Sequence, residues 1–226
     1  MVRYDSHPNI HRYFETFKTT GSIADRDAGG EYFNVVMEQV NCTLEQYVAE
    51  LRRNPNSALN WANQERVRNI IRCMFQGLFH LHQKYSVLHR GIKPSAFVVR
   101  KTTGGPDVIK ISDFRNAKNV AMDQKTLLWK PEEDSVFTPP EFLHKRQVSS
   151  SKHRYDPRTD LFSLAVVVLW LFVGDDLERP WEKAKNLTNV PKELRQLLVK
   201  LLEPTPRRRG NWDDVKANQF IRSLQP

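Results

Sequence analysis

Two short segments carry the side chains from which chemistry could be built: Leu88-His89-Arg90-Gly91-Ile92-Lys93-Pro94-Ser95-Ala96 and Ile111-Ser112-Asp113-Phe114-Arg115. Asp113 is a carboxylate able to ligate a hard cation, which prefers oxygen donors. His89, Arg90 and Lys93 supply a ring base and two cations. The positions between them supply much less. Gly91 has no side chain with which to accept a proton. Ala96 offers no oxygen to a metal, and Mg²⁺ needs near-octahedral oxygen coordination. Arg115 adds bulk and a positive charge beside Asp113, which disfavours a cation there. Functional groups are thus interleaved with residues that have none.

The elements that must position these segments follow from periodicity. Tyr13 to Phe17 and Tyr32 to Met37 are rich in aromatic and β-branched residues, which predicts two strands joined by the polar stretch from Lys18 to Glu31. Leu44, Tyr47, Val48 and Leu51 predict a short helix. Val67, Ile70, Ile71, Met74, Phe75, Leu78 and Leu81 predict a long core helix that delivers the chain to His89. Ala96 to Val99 and Val108 to Ile111 read as short strands around the turn cluster Thr102 to Pro106. Residues 117–140 show no sustained period and read as a loop carrying the hydroxyls Thr126, Ser135 and Thr138, which are open to phosphorylation. Leu161 to Val173 is apolar nearly all round, predicting a buried helix. Leu194 to Leu202 and Trp212 to Leu224 complete a helical second half as two further amphipathic helices.

In this order the segments resemble the protein kinase family, whose catalytic loop reads H-R-D-L-x-x-x-N and whose metal-binding turn reads D-F-G. The resemblance implies an α+β fold: mostly the helical large lobe, with the last strands of the small lobe and without its front. Residues 1–40 would be a remnant of the small lobe and hinge, and 41–226 the large lobe. His7-Pro8-Asn9-Ile10 resembles the turn before the fourth small-lobe strand. Met37-Glu38-Gln39-Val40 resembles the gatekeeper and hinge, which implies nucleotide contacts from Met37, Glu38, Val40, Val98 and Lys93. His89, Arg90 and Phe114 match motif positions. Pro139-Pro140-Glu141 resembles A-P-E, Asp160 the buried Asp that opens the central helix, and Arg209 the arginine that pairs with the motif Glu, here Glu141. Gly91, Ala96 and Arg115 depart from the family at the base, the second metal ligand and the turn glycine. Lys93 and Asp113 are retained, Asp113 as a metal ligand. None of the nine glycines stands in a G-x-G arrangement. A finer likeness, in His7-Pro8-Asn9-Ile10, Cys42 to Val48 and Asn218 to Leu224, is to the inositol-requiring enzyme kinases of the unfolded-protein response.

The resemblance implies a pseudokinase acting as a regulatory or scaffolding module. The alternatives are a serine/threonine kinase of weak activity, or a piece of one, and a nucleotide-sensing module. ATP or ADP would be the ligand, with Mg²⁺ held weakly. Protein partners are expected, a dimer is admitted, and the location would be cytoplasmic. Composition bounds this further. A net charge of +9 attracts anions without specificity, but no aromatic-interleaved basic motif accompanies it, so no specific nucleic-acid partner is expected. The longest apolar run, Leu164 to Val173, falls well short of the roughly 20 residues that span a bilayer. Cys42 and Cys73 have no metal-like spacing and are expected to be buried thiols.

Overall fold

The computed structural model describes residues 7–20, 31–53, 65–120, 135–143 and 155–224; Thr126 lies outside them. Strands β1 (Tyr13–Thr20) and β2 (Glu31–Met37) pair antiparallel, with Tyr13 opposite Met37 and Thr16 opposite Val35. Their aromatic and β-branched residues favour extended backbone, but Phe14, Phe17, Phe33, Val35, Val36 and Met37 are exposed. Strand β3 (Cys42–Thr43) leads into α1 (Leu44–Arg53), which buries the expected stripe of Leu44, Tyr47, Val48 and Leu51. Helix α2 (Glu65–Tyr85) buries all seven apolar residues of its predicted face.

Strands β4 (Val87–Leu88), β5 (Phe97–Arg100) and β6 (Val108–Ile111) follow, then β7 (Lys118–Asn119). One antiparallel sheet runs β3-β5-β6, and β4 pairs with β7. The second half holds α3 (Pro140–Leu143), α4 (Pro157–Val173), α5 (Pro180–Asn186), α6 (Lys192–Leu201), α7 (Trp212–Ala217) and α8 (Gln219–Arg222). Helix α4 starts at a capping box, Asp156 accepting from the Arg158 N–H, with Pro157 in the first turn. Its residues from Thr159 to Leu171 are buried on every face, as a helix apolar all round must be.

The α+β expectation holds, with three corrections. The amphipathic pattern from Trp212 to Leu224 is two helices, because Asn218 leaves helical geometry (ψ 127°) and caps the second, its side chain accepting from the Ile221 N–H. The stretch from 117 to 140 read as a continuous loop contains the two-residue strand β7, and the single turn α3 begins at its last residue, Pro140. Cys42 is half-buried, since β3 is a two-residue strand against β5, whereas Cys73 is buried in α2. Periodicity does not reveal α5, which is too short to repeat a stripe; Pro180 at its first turn is its one local signal.

The turn from His7 to His11 is clamped between α2 and β6. Asn9 accepts from the Ile111 N–H at 2.9 Å, and His11 donates its N–H to Ile111 at 2.8 Å. Gly77 faces the same turn: a Cβ there would stand 2.5 Å from the Asn9 carbonyl oxygen. That carbonyl is fixed by the sheet and cannot yield. Gly77→Ala is therefore expected to destabilise the chain by about 1–3 kcal/mol. Chemical denaturation checks this, and an unchanged midpoint would contradict the packing.

His7 stacks on His80 with ring centroids 4.2 Å apart, and its Nδ1 accepts from the Asn9 N–H. Burial, then the neighbouring His80, push its pKa down to about 4. The unfolded chain therefore takes up this proton before the folded chain does, and the stabilisation is lost as pH falls from about 6.5 toward about 4. Thermal melts between these limits are expected to show a shallower decline for His7→Gln than for the wild type. Parallel declines would remove His7 from the account.

Candidate functional site

A buried carboxylate positions the loop that holds Gly91. Asp160, in the first turn of α4, is fully buried and accepts four hydrogen bonds. The backbone N–H groups of His89 (2.7 Å) and Arg90 (2.9 Å) donate to it, as do the Tyr155 hydroxyl (2.7 Å) and His82 Nε2 (2.8 Å). Trp212 Nε1 donates to His82 Nδ1 at 2.9 Å. Indole is a donor only, so His82 carries its proton on Nε2, toward Asp160. Burial pushes the Asp160 carboxyl up, but the hydrogen bonds that it accepts, from His82 first and then Tyr155, outweigh it, and the group titrates below its ordinary value. The loop needs this anchor because Arg90 sits at φ 60°, a left-handed conformation costly for a side chain with Cβ. The Arg90 Nε donates to the Asn116 carbonyl at 2.6 Å.

The second segment is tied to the first through His89. Its Nε2 donates to the Ser112 carbonyl at 2.7 Å, and its ring lies 5.4 Å from that of Phe114. Burial lowers the pKa of His89, although Asp160 and the Ser112 carbonyl oppose this. Asp113 follows Ser112 in the left-handed region (φ 57°) and meets Arg115 edge on. Arg115 Nε donates to one carboxylate oxygen at 2.6 Å and Nη2 to the other at 2.9 Å. The Arg115 hydrogen bond is the main reason that Asp113 titrates below the usual carboxylate range.

These residues do not fit Mg²⁺. Both oxygens of Asp113 are held by a guanidinium, Ala96 is a buried methyl with no oxygen, and among the described residues no three His, Cys, Asp or Glu groups converge on a metal-sized site.

A cavity of about 220 Å³ opens here, with Arg90, Gly91, Lys93, Asp113, Arg115 and Asn116 on its wall; Ser135 and Thr138 also line it. Gly91 leaves real space. Among the described residues other than its chain neighbours, an added Cβ would come no nearer than 3.7 Å to any atom, the closest being Asn116 Nδ2 and His89 Nδ1. That His89 Nδ1 is buried and has no hydrogen-bond partner among the described residues. The loop thus has room at position 91 for a side chain that glycine does not supply.

Met37, Glu38, Val40 and Val98 do not line this cavity. Glu38 lies on a separate concavity with Arg12, Arg100 and Lys110, where its side chain pairs with Lys110 at 3.0 Å and Arg100 at 3.5 Å. Its carbonyl accepts from His11 Nε2 at 2.8 Å, and His11 Nδ1 is 2.8 Å from the Ser112 hydroxyl. A buried histidine therefore joins the Glu38 segment to the residue before Asp113. Sequence reasoning missed His11, Ser112, Lys110 and Asn116. The signal for His11 was its polarity between Ile10 and the β1 strand; its partners are too distant in sequence to announce themselves.

Glu141 and Arg209 are brought together. Arg209 is buried, gives each of its terminal nitrogens to a Glu141 oxygen at 2.8 Å, and lies over the Phe162 ring with its guanidinium carbon 4.6 Å from the centroid. Its neighbours Arg207 and Arg208 are exposed.

The model of the protein kinase domain family matches residues 1–221 of the chain. Among curated proteins, the chain is similar to a probable serine/threonine-protein kinase, MRK1 homolog, of Encephalitozoon cuniculi, at 27% identity over 72% of this chain and 43% of that protein. It is similar to ribosomal protein S6 kinase 2 alpha of Xenopus laevis at 26% identity, over 96% of this chain and 25% of that protein. It is also similar to serine/threonine-protein kinase DCLK3 of Homo sapiens at 26%, over 98% of this chain and 32% of that protein. The chain thus spans less than half the length of each of these relatives.

Removing the anchor tests the local account. Asp160→Ala strands four buried donors and is expected to lower unfolding free energy by about 3 kcal/mol or more. A loss below about 1 kcal/mol, the size of an ordinary substitution, would show that Asp160 does not hold the loop.

Proposed function

The chain belongs to the protein kinase family, and on that premise we propose that it is a catalytically impaired kinase domain, a pseudokinase acting as a regulatory or scaffolding module in signalling. Gly91 carries the reading. Phosphoryl transfer by a kinase needs a catalytic-loop carboxylate to take the substrate hydroxyl proton, and metal ions to neutralise charge on the phosphates. Glycine supplies no carboxylate. The one carboxylate on the described cavity wall, Asp113, is already held by Arg115.

Lys93 and Asp113 favour a second reading, an ATP-dependent serine/threonine kinase of weak or context-dependent activity, the class that the relatives' names carry. The exposed apolar residues of the β1–β2 hairpin support protein partners. The likeness to the inositol-requiring enzyme kinases rests on sequence segments alone, and a cytoplasmic site of action is part of the proposal. Among the described residues, no helix is long and apolar enough to cross a membrane.

Incubated with radiolabelled ATP and a generic protein substrate, the wild-type chain is expected to transfer no more phosphate than Asp113→Ala. Transfer above that control would contradict the pseudokinase reading and favour the second.

A further inference from the structure

We propose that the outer edge of β2 is a pairing edge for a second copy of this chain, the two β2 strands joining antiparallel about Asn34 into one four-stranded sheet. The proposal concerns the hairpin alone and stands whether or not the loop at Gly91 transfers phosphate.

The edge follows from the register. The Glu38 N–H donates to the Arg12 carbonyl at 2.8 Å, and Tyr13 stands opposite Met37. Glu38 therefore points its backbone groups at β1. Backbone groups alternate sides along an antiparallel strand, so Met37, Val35, Phe33 and Glu31 point theirs away from β1. Among the described residues, β2 pairs with β1 alone. A sheet of two strands is marginal, and three or more are needed for independent stability.

The two strands of the hairpin differ as edges. Strand β1 carries what blunts an edge: the charges of Glu15 and Lys18, and a register shift between Tyr13 and Glu15. From Tyr32 to Met37, β2 carries no charge, no proline and no such shift. Its Phe33 is 73% exposed, and Val35, Val36 and Met37 are exposed as well.

A second copy is the strand that this edge fits. Turned about Asn34, all seven residues of β2 find partners. Phe33 of one copy falls opposite Val35 of the other, and Tyr32 opposite Val36. Such aromatic and β-branched pairs across strands stabilise a sheet. The outward backbone groups of Phe33 and Val35 then meet as hydrogen-bonded pairs. Charge agrees. The chain as a whole carries +9 and repels its own copy, whereas Lys18 and Glu31 of the hairpin cancel at 3.0 Å. The two-fold axis uses each β2 edge once, so the assembly closes as a dimer whose outer edges are the blunted β1 strands.

Sedimentation equilibrium of the full chain, over about a hundredfold range of concentration, tests the proposal through mass action. The wild type is expected to pass from monomer to dimer and to go no further. Val35→Pro removes the N–H that faces the second copy and none that faces β1, and Val35→Lys sets a charge on the edge. Each should weaken the dimer by about tenfold or more, because symmetry removes the contact twice. Thr16→Lys changes the exposed residue opposite Val35, on the same face but on β1. It should leave the dimer unchanged, which separates edge pairing from the stacking of two faces. Val35→Lys keeps every backbone donor, so it carries the test if circular dichroism shows Val35→Pro unfolded. In Asn34→Cys the two introduced thiols face each other at a Cα separation of roughly 4.5 Å, within disulfide reach. Mild oxidation should link the copies through residue 34. A monomer at every concentration, or an assembly beyond the dimer, would overturn the proposal. So would a dimer that Val35→Lys leaves intact or Thr16→Lys breaks, or failure of Asn34→Cys to cross-link.

Discussion

The carboxylate of Asp160 is the point on which the site depends. It lies at the start of the most deeply buried helix and reaches four other parts of the chain. Through His82 it holds α2, and through His82 and Trp212 it reaches α7. Through Tyr155 it fixes the approach to its own helix. Through the amides of His89 and Arg90 it shapes the loop. A buried ion is expensive unless each lone pair is used. Here four donors use them, and the loop can hold Arg90 in a left-handed conformation that would otherwise relax. A second buried pair, Arg209 with Glu141, ties α3 to the turn before α7.

This anchoring does not require chemistry at the loop it anchors. Neither Gly91, Ala96 nor Arg115 contributes to the Asp160 network. Substitutions at those positions can remove a base, remove a metal ligand and close off a carboxylate while leaving backbone geometry alone. The family frame and the catalytic groups are separable in physical terms, because one is built from buried hydrogen bonds and the other from side chains facing a cavity.

Much of this was legible in the sequence. The seven-residue stripe of α2 and the all-apolar α4 fixed two principal helices, because burial imposes a period that the chain must carry locally. The order of the short motifs points to a buried Asp160 and to a pairing of Arg209 with Glu141, and both are present in the fold. What stayed hidden is non-local. Trp212 meets His82 across 130 residues, and His11 meets Ser112 across 101. Neither pair leaves a local pattern. The Arg115 clamp on Asp113 was foreseen as bulk and charge, but not as a two-point hydrogen bond. Asn218 was hidden for a different reason: a cap inside an amphipathic run looks like one more polar residue on the solvent face.

The claim that Asp160 anchors the loop is tested most directly by native-state hydrogen exchange at the His89 and Arg90 amides. If both donate to a buried Asp160, they should exchange only through global unfolding, with protection matching the overall stability of the chain. Exchange at the rate of an open surface loop would contradict the account, because the loop would then have no anchor and its geometry would carry no functional meaning.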